Sequence, residues 1–187
     1  MMKVLVFFAT RCGATAGTTE EIARILREEG FSVKVVNSKE EKVVDISEYE
    51  LVVIGGSLQM ARWTAETGDF LKKFQKDLRQ KKVSIFVFSA LKSLYEREGK
   101  KEDLEKLRLY LKEEIAKYAL NPIAVGIFGG VIDYDKMGLI ARKTFGSMKT
   151  RFEAAGFKET KPGVYDTRDW KEIYDWTKTL VLKARYL

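Results

Sequence analysis

The chain has 187 residues, 45% of them hydrophobic and 33% charged, with two prolines, one cysteine and no histidine. That length and composition suit one globular domain with a full core and exclude a disordered or linker-rich protein. Absence of histidine excludes His-based acid–base chemistry, Ser-His and Cys-His nucleophile pairs and the commonest transition-metal ligand, and a lone Cys12 excludes an internal disulfide. A formal charge of +7 points to an acidic partner, yet no basic–aromatic motif for nucleic acid appears. No run reaches the roughly 18 apolar residues of a membrane span, and the start of the chain reads as a strand, so a cytoplasmic location is expected.

The first element, Lys3 to Phe8, is an apolar strand. A loop of small and hydroxylated residues follows, Thr10-Arg11-Cys12-Gly13-Ala14-Thr15, and then a helical pattern with Ile22, Ile25 and Leu26 on one side. Strand, small-residue loop and helix together make an anion site. The first N–H groups of a helix lack internal partners, and the helix dipole adds partial positive charge there. Gly30 ends this helix, and Phe31–Asn37 alternates as a second strand. Leu51–Ile54 is a continuous apolar run suited to a strand buried on both faces, ended by Gly55-Gly56-Ser57. Phe70, Leu71, Phe74 and Leu78 mark the next helix, and Val83–Phe88 is a fourth strand ending in Ser89-Ala90-Leu91. Leu104, Leu107, Leu111 and Ile115 set another helix, and Ile123–Phe128 a fifth strand. The last helix starts after Asp169 as its N-cap and is expected to bury Trp170, Ile173, Thr177 and Leu180.

Five short apolar strands alternating with helices predict a parallel sheet covered on both faces, with ligands beyond the carboxyl ends of the strands. The loops to inspect are therefore 10–15, 56–63, 89–95 and 129–135. Their chemistry excludes several nucleotide-type folds. A phosphorylatable receiver needs acids after strands one and three, where this chain has Ala9-Thr10 and Gly55-Gly56-Ser57. A triphosphate loop needs Gly-x4-Gly-Lys, and a dinucleotide fold needs Gly-x-Gly-x-x-Gly after the first strand; both are missing.

Thr10 to Thr15 forms Thr-x-x-Gly-x-Thr, and ISEYELVVIGGS places a Tyr before the third strand and Gly-x-Ser after it. In both features the chain resembles the flavodoxin superfamily. FGGVIDYDKMGLIARKTFGSMK and VYDTRDWKEI make it most similar to the menaquinone-dependent protoporphyrinogen dehydrogenases and their flavodoxin-domain relatives. The resemblance implies an α/β, flavodoxin-like three-layer sandwich with five parallel strands in the order 2-1-3-4-5. It implies one domain over 1–187 with an extension after strand five at about 129–152, and FMN as the cofactor. By the same resemblance Thr10, Arg11, Cys12, Gly13, Ala14 and Thr15 hold the FMN phosphate. Ser57, Leu58, Gln59, Met60 and Trp63 line the isoalloxazine, Ser89, Ala90 and Leu91 approach its other side, and Tyr95 is a stacking aromatic. No metal site and no catalytic acid or base is assigned. The implied function is an FMN-dependent oxidoreductase acting on a quinone or tetrapyrrole; the alternative is a diffusible carrier serving a redox partner protein.

Some residues read two ways. Trp63 suits packing against the third helix as well as flavin contact, and Cys12 suits a buried filler better than a reactive thiol. Asp133, Tyr134 and Asp135 suit a substrate-facing edge or a solvated turn. Residues 136–152 contain no acid. On a helix they put Met137, Ile140, Ala141, Phe145, Met148 and Phe152 on one face and Arg142, Lys143 and Lys149 on the other. That face suits packing on the chain's own sheet, or peripheral contact with the inner face of an anionic membrane.

Overall fold

The computed structural model describes the backbone of residues 1–9, 14–57, 63–136 and 139–187, and the side chains there apart from positions 14, 136, 139–141, 143–145 and 147. Five parallel strands, β1 (Lys3–Phe8), β2 (Ser32–Asn37), β3 (Leu51–Ser57), β4 (Lys82–Phe88) and β5 (Ala124–Phe128), form one sheet in the order β2-β1-β3-β4-β5. This is the expected order. Its cause is visible in the central strands, where β1, β3 and β4 are apolar almost throughout and buried on both sides.

Alternation along each strand divides the core into two layers. Leu5, Phe7, Val52, Ile54, Ile85 and Val87 pack on one face with Phe70, Leu71, Phe74, Leu78, Leu111 and Ile115. These come from α2 (Ala65–Lys73), the single turn α3 (Gln75–Leu78) and α5 (Lys101–Ala116). The helix expected around Phe70–Leu78 is thus two pieces, joined at Phe74. On the other face Val4, Val6, Leu51, Val53, Phe86 and Phe88 meet Ile22, Leu26, Ile173, Leu180, Val181 and Ala184 from α1 (Ala14–Glu28) and α7 (Trp170–Tyr186). Gly30, at φ 85°, turns the chain out of α1 in the left-handed conformation that glycine adopts without strain.

Trp170 corrects the expectation for the last helix. Asp169 does cap α7, its side chain accepting from the Glu172 N–H, and Ile173, Thr177 and Leu180 are fully buried. Trp170, however, is 46% exposed and lies against the Arg168 guanidinium, 4.6 Å from ring centroid to Cζ. It stands in the first turn of α7, at the exposed start of the stripe that carries Ile173, Thr177 and Leu180.

Beyond β5 the chain builds a second, smaller layer. β6 (Val131–Asp133), β8 (Val164–Asp166) and β7 (Glu159–Lys161) form an antiparallel sheet in the order β6-β8-β7, and a 3-10 turn at 134–136 precedes α6 (Leu139–Ala154). Ile132, Phe152, Phe157 and Tyr165 make its core together with Leu94 of α4 (Ala90–Arg97), a helix occupying what the sequence read as a strand-end loop. Phe152 and Tyr165 are fully buried, so the part of α6 described by its side chains packs on the chain's own small sheet. No helix among the described residues is long and apolar enough to cross a membrane.

An ion pair fastens this layer to α4. Arg151 donates from Nε and Nη2 to Glu98 at 3.0 and 2.6 Å, and these hydrogen bonds hold the Glu98 carboxyl down at about 2, from an ordinary 4.5. A depressed carboxylate stabilises the fold above its unfolded pKa and loses that contribution as pH falls through the folded one. Acid should therefore loosen the α4–α6 contact between about pH 4.5 and 2. Glu98→Gln should flatten the stability–pH curve in that window, read from chemical unfolding at a series of pH values; an unchanged curve refutes the assignment.

Candidate functional site

Parallel register brings the strand ends into one row. Phe8 is opposite Gly55, Ser57 opposite Phe88, and Phe88 opposite Phe128. Ala9 therefore stands level with Gly56, and Ser57, Ser89 and Gly129 follow within two residues of that level along the carboxyl edge. Backbone bonds seal the row: Ala9 N–H donates to Gly55 O at 3.2 Å, Ser38 N–H to Phe8 O at 2.9 Å, and Ser89 N–H to Phe128 O at 2.8 Å.

Of the expected phosphate-loop residues, Thr10, Arg11, Cys12 and Gly13 lie outside the described residues. Ala14 is where α1 begins, and Thr15 follows it, only 4% exposed. No acidic residue occupies the first turn of α1, so nothing there opposes an anion at its N-terminus. Thr18 and Thr19 are fully buried beside it, with the Thr19 hydroxyl donating to the Thr15 carbonyl at 2.8 Å.

A residue that the sequence reading missed reaches the same turn. Arg168 donates from Nη1 to the Thr18 hydroxyl at 3.2 Å and grips Asp166 through Nε and Nη2 at 2.9 and 2.5 Å. Burial pushes the Asp166 carboxyl up, but the hydrogen bonds from Arg168 outweigh it and hold the group below its ordinary value. A guanidinium from the join between β8 and α7 thus sits within reach of the helix expected to carry the phosphate. No spacing rule links positions 18 and 168, and only the fold brings them together.

Of the second loop, Leu58, Gln59 and Met60 lie outside the described residues, while Ser57 ends β3 half-buried. Trp63 covers Gly56: a Cβ on that glycine would lie 3.3 Å from the indole ring and 3.3 Å from Thr67 Oγ1. The indole also packs against the core layer that holds Phe70 and Leu71 of α2. Its Nε1 is buried without a hydrogen-bond partner among the described residues, as is Ser38 Oγ at the end of β2. A buried donor without an acceptor is uncommon and asks for an explanation.

The third expected loop is the start of α4. Ser89 stands at its N-cap with no side-chain cap bond, while Ala90 and Leu91 lean on the small layer. Tyr95 is half-buried further along the helix, in the electrostatic neighbourhood of Arg151.

The fourth loop contains a knot that the sequence did not announce. Thr167 donates N–H to Gly130 O at 2.9 Å, its hydroxyl bonds the Gly130 N–H and O at 3.0 and 2.8 Å, and Ser93 Oγ donates to Thr167 O at 2.8 Å. Gly129 lies so close that a Cβ would fall 1.9 Å from the Thr167 carbonyl oxygen. The paired glycines after β5 were the available signal, since close backbone approach is one reason for glycine. Asp133 Oδ1 accepts from the Asp135 N–H, Asp135 pairs with Arg142, and Tyr134 bonds Gly163 and Arg142 through its backbone, so all three residues at 133–135 are engaged in the turn itself. Burial raises the Tyr134 hydroxyl, whose ring packs edge-on to Tyr165.

The basic face of α6 is largely answered from within the molecule. Arg142 binds Tyr134 O and Asp135, Lys149 binds Glu159 and Glu153, and Arg151 binds Glu98. Met137 and the side chains of Ile140, Ala141, Lys143 and Phe145 lie outside the described residues.

A doubly wound parallel sheet with an acid-free helix N-terminus at its carboxyl edge places the chain in the open α/β class. The chain belongs to the flavodoxin domain family, whose model matches residues 5–157. Among solved structures it is similar to a flavodoxin from the domain Archaea, at 13% identity over 98% of this chain and 97% of that one, with a TM-score of 0.54. A Streptococcus pneumonia TIGR4 flavodoxin matches at 15% identity over 67% of this chain and 82% of its own, with a TM-score of 0.50. A Fusobacterium nucleatum flavodoxin bound to flavin mononucleotide matches at 27% identity and a TM-score of 0.41, over 47% of this chain and 52% of its own, so this chain spans about half of that relative. No curated protein matches in sequence.

Proposed function

We propose that the chain binds FMN non-covalently at the carboxyl edge and works as a flavin oxidoreductase. The observation that carries this is the N-terminus of α1: a helix start free of acid, flanked by buried threonines, with a guanidinium at its first turns. The residues present fit a flavin mononucleotide. The anion-ready turn suits its phosphate, and Trp63 Nε1 and Ser38 Oγ, without partners among the described residues, suit a polar ligand at the same edge. Thr10–Thr15 would hold the phosphate; Ser57–Met60, Trp63 and Ser89–Leu91 would flank the ring, with Tyr95 beyond them. The flavin supplies the redox chemistry, and the protein positions it and sets the polarity around it. Thr15 contributes its N–H and hydroxyl to the anion, and Arg168 holds the first turns of α1 in place.

The test is reconstitution with FMN: a yellow complex with quenched flavin fluorescence is expected, and free-flavin behaviour refutes the reading. Thr15→Ala should weaken FMN binding by about tenfold, the scale of one hydrogen bond to a charged group. An unchanged dissociation constant in fluorescence titration removes Thr15 from the site.

Within this reading we favour an enzyme of the quinone-linked protoporphyrinogen dehydrogenase type. What supports it is the small layer, which follows β5 after Gly129-Gly130 and stands beside the strand ends. Internal pairing of Arg142, Lys149 and Arg151 leaves less free charge for a membrane-docking role of α6. Repeated turnover of protoporphyrinogen with a quinone, without a partner protein, is the expected result. Turnover only on adding a redox protein would instead make the chain a carrier, whose partner should be acidic given the charge of +7.

A further inference from the structure

The two edges of the large sheet are built differently. β2 carries Lys34 in mid-strand, held by Glu41, which is one of the usual ways to discourage a further strand. β5 has no such guard. Its sequence, AVGIF, contains neither charge nor proline, Val125 is 46% exposed, and no strand pairs with its outer side. A cavity of about 680 Å³ runs along that edge. One wall is the α5 row Leu104, Leu107, Leu111 and Ile115; the other includes Trp176 of α7. This slot has the shape of a missing sixth strand.

We infer that the slot is filled by β5 of a second copy, the two strands pairing antiparallel about a two-fold axis at Gly126. Two observations select a second copy over a foreign peptide. The first is charge. At the carboxyl end of the groove Lys92 is bound by both Glu96 and Glu172, one ammonium against two carboxylates. Along the α5 wall Arg108 stands in mid-helix, and Lys112, a turn before the helix ends towards Leu120, Asn121 and Pro122, stands towards the amino end. Arg108 pairs with Glu105, and Lys112 has no ion pair among the described residues. Antiparallel pairing lays the basic end of each copy on the acidic end of the other, which is the self-complementarity an isologous interface requires.

The second observation is the strand itself. Its midpoint, Gly126, carries no side chain because Phe128 and Trp176 fill that space: a Cβ there would lie 2.6 Å from the Phe128 ring and 3.0 Å from Trp176 Nε1. A two-fold axis at this residue sets Gly126 against Gly126, Val125 against Ile127, and Ala124 against Phe128. Val125 and Ile127 of both copies then close over the α5 leucines. Trp176 Nε1 is buried without an acceptor among the described residues, and it borders the same slot. This inference does not depend on FMN.

Sedimentation equilibrium of the full chain, over a concentration series, tests it. A reversible dimer is expected, together with slower hydrogen exchange at 124–128 as concentration rises. Val125→Lys places the missing guard on an exposed position and should raise the dimer dissociation constant by about tenfold or more. Its melting curve at monomeric concentrations should match that of the parent, which separates lost association from lost folding. Lys112→Glu should also weaken the dimer, by setting like charges against Glu96 and Glu172 of the second copy. A chain that stays monomeric, or that takes an extended peptide at β5 without self-associating, overturns the inference. So does a dimer indifferent to Val125→Lys or to Lys112→Glu.

Discussion

Gly129→Ala is expected to destabilise the protein by about 3 kcal/mol or more, an unusually large effect for a single methyl group. The added carbon would lie 1.9 Å from the Thr167 carbonyl oxygen, 2.6 Å from its carbonyl carbon and 2.4 Å from Ser93 Oγ. Two of those three atoms are backbone, so no rotamer change relieves the clash. The chain must move apart where Thr167 bonds Gly130 through both its N–H and its hydroxyl, and where Ser93 bonds Thr167. Each such bond contributes roughly 1 kcal/mol, and leaving its buried partner unpaired costs more. The neighbouring Gly130→Ala is the control, because its Cβ meets nothing nearer than 3.6 Å. Urea unfolding should separate the two variants clearly; equal midpoints would refute the steric account. The FMN site should feel the difference as well, since Gly129 stands in the same strand-end row as Ser89.

The large sheet was readable because its signal is local. Val4 to Phe8, Leu51 to Ile54 and Val83 to Phe88 are apolar runs of strand length, and burial on both faces is what such runs mean. What escaped the sequence reading depends on partners far away in the chain. Residues 89–95 read as a loop after a strand, yet Ala90–Arg97 form α4. There Lys92 is buried by an ion pair with Glu172, and Ser93 by its bond to Thr167. Burial also pushes the Glu172 carboxyl up, against the hydrogen bonds from Lys92. β7 and β8 have three residues each, too few for an alternation to register. Trp170 shares the helical spacing of Ile173, Thr177 and Leu180, but its position in the first turn of α7 and its contact with Arg168 keep it at the surface. Arg168 itself gave no sign, because its importance lies in meeting Thr18 across 150 residues of sequence.

Phe152→Ala is the second large effect, and it bears on function as much as on stability. Phe152 is fully buried, with ring centroids of Phe157 and Tyr165 at 5.5 and 5.9 Å. Deleting such a ring typically costs ~3–5 kcal/mol through lost transfer energy and the cavity left behind. The core around Phe152 shares no residue with the two cores of the large sheet, so the loss should be felt locally. Native-state hydrogen exchange should accelerate at 131–133 and 159–166 while β1 and β3 stay protected. FMN affinity should fall less than activity, because α1 packs on the large sheet and the small layer touches its first turns through Arg168, which Asp166 grips at the end of β8. Activity then separates the two functional readings. If the small layer covers a substrate lying on the flavin, protoporphyrinogen turnover should fall far more than FMN binding does. If the chain is a carrier, electron transfer to its partner should survive with the small layer loosened. Exchange that speeds up uniformly through the large sheet would instead make the small layer an integral part of one cooperative fold.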